Sequence, residues 1–470
     1  MSTNVPNLRT DSRPIDTLGP DTKKHNDLRD YLLERIRASE RKMQGFYSRW
    51  EANERRVQAY IELPDAEKLL QEMNESGEPP KITAVTIPYS FATISTIVTF
   101  LMHAFCGRKP LFQVGSHKKE TSEAALLVEL VLQYNADHVR MVKHLYQYFW
   151  DAELYGVGIM RTQWQVDKQV RPVWKERPAN YAGAMIPGPP EAYRASEERT
   201  VFEGTKVISI DPFMFFPDPR VPMEEVNTRG EFVFWRSYEG RHMLRREEAA
   251  GRVKWIDRIT KTLPVTFYKG SARSAMPGGE SHPGSIADLE GNAQVEDFVQ
   301  IDQGTVEIIP RDRGLSDNTR TEKWIFTIAN EDQIIQAEPF TNLHGKHPVA
   351  VIEPYSLGYG FGQAAISDYL GPIQDAMSWF INSQIFNVRA ALNNMFLVDP
   401  SAIDMQDLKS PEPGKLIRLK TAAMGRDVRS IIHQFQVTDV TKGHTDNLQT
   451  FVKLGDMLSA VNENIRGQQA

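Results

Sequence analysis

The sequence predicts an α+β protein that combines helices with antiparallel strands and ends in a long helical hairpin. Apolar residues recur at helical spacing over residues 26–60, 87–106 and 121–155, which is typical of helices that bury one face. Short alternating segments between residues 159 and 336 are separated by turn-forming residues, as in antiparallel strands. A helix–tip–helix pattern over residues 363–466 then sets the C-terminal part apart.

Composition and charge exclude several kinds of protein and of binding site. The 470 residues are 41% hydrophobic and 25% charged, which is ordinary for a globular chain with room for two or three domains. The formal net charge of −6 argues against tight sequence-independent binding of DNA, because such binding needs a basic surplus. Cys106 is the single cysteine, so an intrachain disulfide and a multi-cysteine metal site are excluded.

The first hundred residues predict an arm followed by two helices. Residues 1–25 are polar, contain three prolines and lack an apolar signal-peptide core, so we expect a flexible arm. Residues 26–60 predict an amphipathic helix that breaks near Gly45, and residues 64–80 predict a polar linker. The helix 87–106 is about long enough to cross a bilayer. It carries a proline, five serine or threonine residues and a histidine, so we expect a buried helix of a large assembly and no membrane contact.

The middle of the chain predicts mainly strands. A short strand at 111–114 and one long helix at 121–155 are expected first. Strands are expected at 159–166, 169–174, 204–210, 230–238, 305–309, 321–330 and 333–336, with a short helix at 241–250. The first two would form a hairpin, and the Pro/Gly/Ala-rich residues 176–196 an exposed loop. Residues 269–293 are rich in Gly, Ser and Pro and predict a mobile segment.

Residues 211–220 contain three prolines among large apolar side chains. The prolines disfavour regular structure, whereas the apolar side chains favour burial. A rigid, packed turn satisfies both, and its candidate structural residues are Pro212, Phe213, Phe216, Pro217 and Pro219.

The C-terminal hairpin is the clearest signal. Between residues 363 and 398 the only charged residues are Asp368, Asp375 and Arg389. A helix from 363 to 394 would be roughly 48 Å long, with a kink at Pro372, or roughly 34 Å if it starts at that proline. A second helix is expected from 445 to 466, and strands near 415–419 and 430–437 in the tip. A helix with so few charges needs apolar neighbours on most sides, so we expect it to pack against copies of itself.

Four segments together give the chain a resemblance to bacteriophage portal proteins, in particular those of podovirus type. They are residues 85–114, residues 150–161 with their Tyr-Gly-Val-Gly corner, residues 210–219, and residues 360–394 with the later Pro413-Gly414. Residues 210–219 carry the most specific likeness, because they are similar to a motif in the wing domain of such portals.

The resemblance implies a domain order and a function. It implies an N-terminal arm at 1–25, a wing at 26–362, stem helices at 363–394 and 445–466, a clip at 395–444, and the start of a tunnel loop at 467–470. A crown is expected to be absent or truncated. The resemblance further implies a dodecameric ring at a virion's capsid vertex, assembled in the host cytoplasm, through which double-stranded DNA passes during packaging and ejection. Its implied partners are the terminase large subunit, head–tail adaptor or tail proteins, the major capsid protein and a scaffolding protein.

Candidate site residues follow from the stem and the tip. The expected channel residues of the stem are Gln363, Asp368, Asp375, Asn382, Arg389 and Asn393. The expected partner-binding residues of the clip are Lys415, Arg418, Lys420, Arg426 and Arg429, which could equally face DNA at the channel mouth or be solvated surface charges.

Enzyme signatures are missing from the sequence. No phosphate-binding Gly-x4-Gly-Lys-Ser/Thr loop and no Gly-x-Ser-x-Gly elbow occur. The glycines at 358, 360 and 362 lack dinucleotide-binding spacing, His344 and His347 predict surface histidines, and the basic stretch 241–261 predicts a solvated face. We expect no catalytic residue, metal or cofactor. The alternatives are another head–tail adaptor protein or, less favoured, a nucleic-acid-processing enzyme.

Overall fold

The computed structural model describes most residues of the chain. They are residues 14–58, 85–115, 122–177, 180–181, 184–185, 191–259, 298–342, 344–356, 358, 360–362, 364–392, 396–398, 418, 420–421, 432–434 and 441–459. The polar linker at 64–80 and the mobile segment at 269–293 therefore lie outside the described residues.

The described elements are helices and antiparallel strands, which confirms the predicted α+β class. The helices are α1 (Pro14–Thr17), α2 (Lys23–Val57), α3 (Tyr89–Cys106), α4 (Ser122–His138), α5 (Met141–Tyr155), α6 (Val226–Arg229), α7 (Arg241–Ala249), α8 (Ile366–Leu392) and α9 (Thr441–Ser459). The strands are β1 (Gly158–Arg177), β2 (Asn180–Tyr181), β3 (Ala184–Met185), β4 (Glu191–Ser209), β5 (Phe215–Pro217), β6 (Phe232–Gly240), β7 (Phe298–Ile308), β8 (Glu322–Ala329), β9 (Gln333–Pro339), β10 (Val349–Ile352), β11 (Phe396–Val398) and β12 (Ile432–Gln434).

The chain divides into two compact units. The first unit covers residues 1–55 and 92–368, and the second covers residues 56–91 and 369–470. Each is treated separately below.

The core of the first unit is a five-stranded antiparallel sheet in the order β5-β6-β7-β8-β9. One face packs against α2, where Leu28, Leu32 and Ile36 meet Phe234 and Phe326 of the sheet. This spacing on α2 places the three aliphatic residues on one side of the helix. The opposite face of the sheet is covered by a second cluster that includes residues of α7 and of the segment that follows it. Both faces are thus buried by the chain itself.

A three-stranded sheet in the order β10-β1-β4 forms the other strand system of this unit. β1 and β4 pair from Met160–Ser209 to Arg177–Glu191, with one register shift at Asp167 and Lys168. The sequence wrongly split this ribbon into a hairpin of residues 159–166 and 169–174. The bulge at the register shift interrupts the pairing without ending the strand, and the reversal of the chain lies farther on, between residues 177 and 191.

Two helix predictions also need correction. α2 is continuous through Gly45, because the cost of a helical glycine is only about 1 kcal/mol and Met43 and Trp50 on either side are fully buried. The long helix at 121–155 is two helices, since Arg140 adopts a left-handed backbone with φ 53° between α4 and α5. No glycine or proline marks that break in the sequence.

Two segments near the N-terminus differ from their predictions as well. The flexible arm was expected to reach residue 25, but Ile15 and Leu18 are buried in the first unit's core and α2 begins at Lys23; residues 1–13 lie outside the described part. Residues 111–114 do not form a strand. The backbone N–H groups of Leu111 and Val114 instead donate to side chains of α4, at Gln133 (2.8 Å) and Glu129 (3.1 Å).

Helix α3 is largely exposed in the single chain. It is the one helix among the described residues that is long and apolar enough to cross a membrane, and only 28% of it is buried. Phe91, Phe100 and Phe105 are exposed on its surface. The single chain thus leaves much of α3 uncovered, and its burial in an assembly stays a prediction.

In the second unit, helix α8 is about 40 Å long at 1.5 Å per residue. It begins six residues before Pro372, so the alternative in which the helix starts at that proline is wrong. After α8 the chain forms β11, which pairs with β12 in a small antiparallel sheet. β12 lies within the predicted strand at 430–437, whereas β11 was not predicted. α9 starts at Thr441, four residues before its predicted start.

Candidate functional site

The two long helices of the second unit form the helical hairpin that the sequence predicted. Their rings meet at Phe380 and Phe451, with centroids 5.5 Å apart. The two-stranded sheet of β11 and β12 lies between the two helices in sequence order. This arrangement of helix, small β tip and helix is the element on which a functional interpretation depends.

A chain segment from the N-terminal half is held along one side of α8. Gln374, Ser378 and Asn382 lie four residues apart and therefore share a helix face. Their side chains hydrogen-bond the backbone N–H groups of Ser90 (2.9 Å), Ile87 (3.2 Å) and Val85 (2.8 Å), respectively. Asn382 also donates to the carbonyl of Val85 at 3.1 Å. Three side chains of α8 thus hydrogen-bond backbone groups of residues 85–90, the segment that leads into the first turn of α3.

The same segment contacts α9. Tyr89 donates from its hydroxyl to the Asp456 carboxylate at 2.7 Å. The neighbouring Gly455 is required for this approach, because a Cβ there would lie within 2.5 Å of the Tyr89 hydroxyl oxygen. Residues 85–90 thus contact both helices of the hairpin.

The expected channel residues therefore have contacts within the chain. Asn382 binds Val85, and Asp375 forms an ion pair with Arg56 at 3.1 Å while its side chain is 58% exposed. Asp368, in the first unit, accepts from the Ala365 N–H at 2.8 Å and from Asn53 at 2.8 Å. Arg389 lies on α8, but its side chain is outside the described residues, as are Gln363 and Asn393.

Large apolar side chains remain on the surface of the hairpin. Trp379 on α8 is 60% exposed and Met457 on α9 is 79% exposed, and Leu454 and Leu458 are exposed beside it. Contiguous exposed apolar residues on a folded unit mark an interaction surface. The second unit therefore leaves part of its helical hairpin to be covered from outside the chain.

The basic tip is described only in part. Arg418 and Lys420 are both exposed. Lys415, Arg426 and Arg429 lie outside the described residues, so their proximity to these two remains a prediction.

The motif at 211–220 is a packed turn, as predicted. Asp211 accepts a hydrogen bond from the Phe213 N–H at 3.0 Å and so caps a short 3-10 helix that begins at Pro212. Phe213 contacts the rings of Tyr47, Trp50 and Tyr155 at 5.1 to 5.7 Å. Phe216 and Pro217 are buried as well, and Pro219 is half-buried. The motif serves as the anchor between α2, α5 and the five-stranded sheet.

A buried carboxyl beside this anchor was not singled out in the sequence. Glu153 on α5 is 4% exposed and accepts a hydrogen bond from the Tyr355 hydroxyl at 3.1 Å. Burial raises the pKa of Glu153 to about 7, although the Tyr355 bond works in the opposite direction. An acidic residue within the apolar end of a helix was the available signal, since such residues are rarely buried.

The paired histidines do not form a metal site. His344 is exposed, whereas His347 is buried between Thr305 Oγ1 (2.6 Å) and the Gly230 carbonyl (2.9 Å). Burial lowers the pKa of His347 to about 4. The prediction of a surface histidine is therefore wrong for His347. Within the described ranges no group of three or more His, Cys, Asp or Glu side chains could hold a metal ion.

Acidic partners compensate the basic stretch at 241–261. Arg245 pairs with Asp257, and Arg252 pairs with Glu247. Lys254 and Arg258 pair with Asp16 and Asp21. These pairs fit the predicted solvated face rather than a phosphate-binding surface.

Comparison with known protein families finds a match that covers most of the hairpin. No curated protein matches the chain. Residues 315–453 match a family model described as Phage SU10 portal protein. This segment begins seven residues before β8 and runs through α8 and the small sheet into α9. The matched family is structural. The C-terminal part of this chain is thus similar to a phage portal protein, and the match supports a virion component at the capsid.

Proposed function

We propose that the chain is a structural subunit of a portal, a dodecameric ring of podovirus type at a capsid vertex. DNA would pass through the ring during packaging and ejection. One observation carries the proposal: the matched residues 315–453 contain α8, the small sheet and most of α9. The exposed Trp379 and Met457 on these helices support packing against further copies.

The low charge of α8 suits a passive conduit. Its charged residues are Asp368, Asp375 and Arg389, and Asp375 is paired with Arg56 of the same chain, so α8 carries a single basic residue that could bind phosphate. Twelve chains of −6 each would carry −72. A neutral or acidic lumen gives phosphates no lasting grip, so DNA can slide while a separate ATPase supplies the force.

The remaining parts of the proposal concern partners. The basic residues Arg418 and Lys420 of the tip are exposed and would meet the terminase large subunit during packaging, and adaptor or tail proteins afterwards. The major capsid protein and a scaffolding protein would surround the ring during assembly in the host cytoplasm. No cofactor is needed for these tasks.

Electron microscopy of the purified full chain tests the proposal, together with a nuclease assay on double-stranded DNA with and without Mg²⁺. We expect closed rings with a central opening and no cleavage. Monomers at every concentration, or metal-dependent cleavage, would contradict the proposal and favour an adaptor or an enzyme.

A further inference from the structure

The first unit exposes an apolar stripe along one strand of the β1–β4 ribbon. It consists of Trp164, Val166, Val170, Pro172 and Trp174, here called the ribbon stripe. These residues alternate along β1 and therefore lie on one face of the ribbon. The register shift does not interrupt them, because Asp167 pairs with Phe202 and Lys168 with Thr200, which leaves Val201 of β4 as the extra residue.

The ribbon stripe is uncovered within the chain. Trp164 is 65% exposed, Val170 64% and Trp174 72%. A paired ribbon from Met160 to Arg177 is about 60 Å long, and a two-stranded ribbon is marginally stable in water by itself. A strand face that is mostly apolar is expected to be buried, and Lys168 is the one charged residue on this face between Trp164 and Trp174. The described residues of the chain leave this face uncovered.

Helix α4 presents a second uncovered apolar surface in the same unit. Leu126, Leu127, Leu130, Val131 and Tyr134 are all more than half exposed. A helix that is apolar on most sides is stable in water only when neighbours cover it. The ribbon stripe and the surface of α4 are therefore both apolar and both exposed.

Their charges are complementary. Helix α4 carries Glu123, Glu129 and Asp137 and no lysine or arginine. Residues 168–175 of β1 carry Lys168, Arg171 and Lys175 and no acid. The facing residues 192–200 of β4 carry two acids and two bases, so the outer part of the ribbon is net basic. Of these bases, Lys168 lies on the face of the ribbon stripe, whereas Arg171 and Lys175 point to the other face. The opposite net charges of the outer ribbon and of α4 favour their mutual contact.

The ribbon stripe cannot cover α4 of its own chain. His138 at the end of α4 stacks on Phe202 with ring centroids 4.1 Å apart, and a Cβ at Gly204 would meet Asn135 of α4 at 2.6 Å. Gly204 pairs with Gln165, so α4 lies on the Gln165 face of the ribbon. Trp164 and the rest of the stripe point to the opposite face. Within the described residues, the ribbon stripe and α4 of one chain therefore do not cover each other.

We propose that the ribbon stripe of one copy packs on the apolar surface of α4 of the next copy. Because the two surfaces differ, the contact is heterologous and can repeat around a closed ring. The inference deepens the proposed portal function and rests on it for the closure of that ring. It identifies the partner as a second copy of this chain.

Disulfide trapping between two differently tagged chains tests the contact. Both chains carry Cys106→Ser, one carries Leu127→Cys and the other Trp174→Cys, and they are co-expressed and then oxidised. No chain holds two cysteines, so every disulfide joins two molecules. The control replaces Trp174→Cys with Met243→Cys, because Met243 is 53% exposed on α7 and lies outside both surfaces.

We expect the linked heterodimer to form at least tenfold more from the Leu127→Cys and Trp174→Cys pair than from the control pair. Equal yields would overturn the proposed contact, whether or not the chains form rings. Rings seen by electron microscopy without preferential linkage would overturn the contact but leave the portal function standing. Preferential linkage without rings would do the reverse.

Flotation with neutral phosphatidylcholine vesicles tests the competing occupant, a lipid surface. We expect no vesicle binding by the Cys106→Ser chain. Binding that Leu127→Asp abolishes would assign α4 to lipid and overturn the proposal.

Discussion

The five-stranded sheet and the β1–β4 ribbon bury their apolar side chains in opposite ways. The sheet is covered on both faces by residues of the same chain, and Phe234, Phe326 and Ile328 have no exposed surface. The ribbon exposes two tryptophans of its stripe, and α4 beside it exposes its leucines. The first region is covered by its own chain, whereas we propose that the second acquires its neighbours on assembly. One chain thus contains a self-sufficient scaffold and surfaces prepared for contact.

The largest expected effect comes from a substitution in the five-stranded sheet, whose apolar side chains are covered by the same chain. Phe326→Ala should lower the free energy of unfolding by about 3–5 kcal/mol, because it opens a cavity between the sheet and α2. Chemical denaturation followed by tryptophan fluorescence measures the loss. The matched variant in the ribbon, Trp174→Ala, should change the unfolding free energy of the single chain by less than about 0.5 kcal/mol. Equal losses in the two variants would contradict the distinction.

The second prediction concerns the buried carboxyl of Glu153. Its pKa is raised to about 7 in the folded chain, above the usual value of about 4.3 for glutamate. The stabilisation from its neutral form is complete below the unfolded pKa and is lost as the pH rises through 7. The wild type should therefore lose about 1–3 kcal/mol relative to Glu153→Gln between pH 4.5 and 8. Thermal unfolding of both proteins across this range measures the difference.

For Glu153, parallel unfolding profiles for the two proteins would show that the carboxyl is ionised in the folded state. Tyr355→Phe provides the control for the hydrogen bond. It removes the hydroxyl that stabilises the carboxylate, so it should move the loss of stability to higher pH.

A smaller effect is expected where α8 binds residues 85–90. Asn382→Ala removes both hydrogen bonds to Val85 and should cost about 1 kcal/mol locally. Hydrogen–deuterium exchange should show faster exchange of the Val85 amide. Asp375→Asn, which leaves the bonds to Val85 intact, is the matched control. Unchanged exchange in Asn382→Ala would leave the channel role predicted from the sequence as the better explanation of this residue.

The smallest effect is expected for Arg389, the single basic residue of α8. Arg389→Ala should leave ring assembly unchanged, because one cation per chain cannot hold DNA or a neighbour strongly in a screened, solvated lumen. Native mass spectrometry reports the number of chains. Loss of the ring in this variant would instead identify Arg389 as a tie between neighbouring copies.

The sequence predicted the elements whose signals are local. Strands β6, β8 and β9, the end of β7, the packed turn at Phe213 and the helical hairpin were recognised from alternation, prolines and helical spacing. β5 was not predicted, because the prolines of residues 211–220 disfavour regular structure. The break at Arg140 was missed because an arginine in a left-handed conformation leaves no mark in composition. The ribbon was misjudged because the polar pair Asp167-Lys168 has the composition of a turn, whereas the structure has a bulge opposite it, at Val201 of β4.

The other features that the sequence did not predict depend on contacts between residues that lie far apart in the chain. Asn382 was assigned to a channel because a polar residue on an apolar helix has no local explanation. Its partner, Val85, is 297 positions away in the sequence, and a single sequence contains no sign of that pairing. Glu153 was missed for the same reason, since its environment depends on Tyr355 from a distant loop.

Native mass spectrometry of the full chain beside Leu127→Asp tests most directly whether the uncovered surfaces build the assembly. We predict a closed oligomer of about twelve chains for the wild type, in line with the ring implied by the portal resemblance, and monomers for the variant with an unchanged unfolding midpoint. A variant that forms the same oligomer as the wild type would contradict the account.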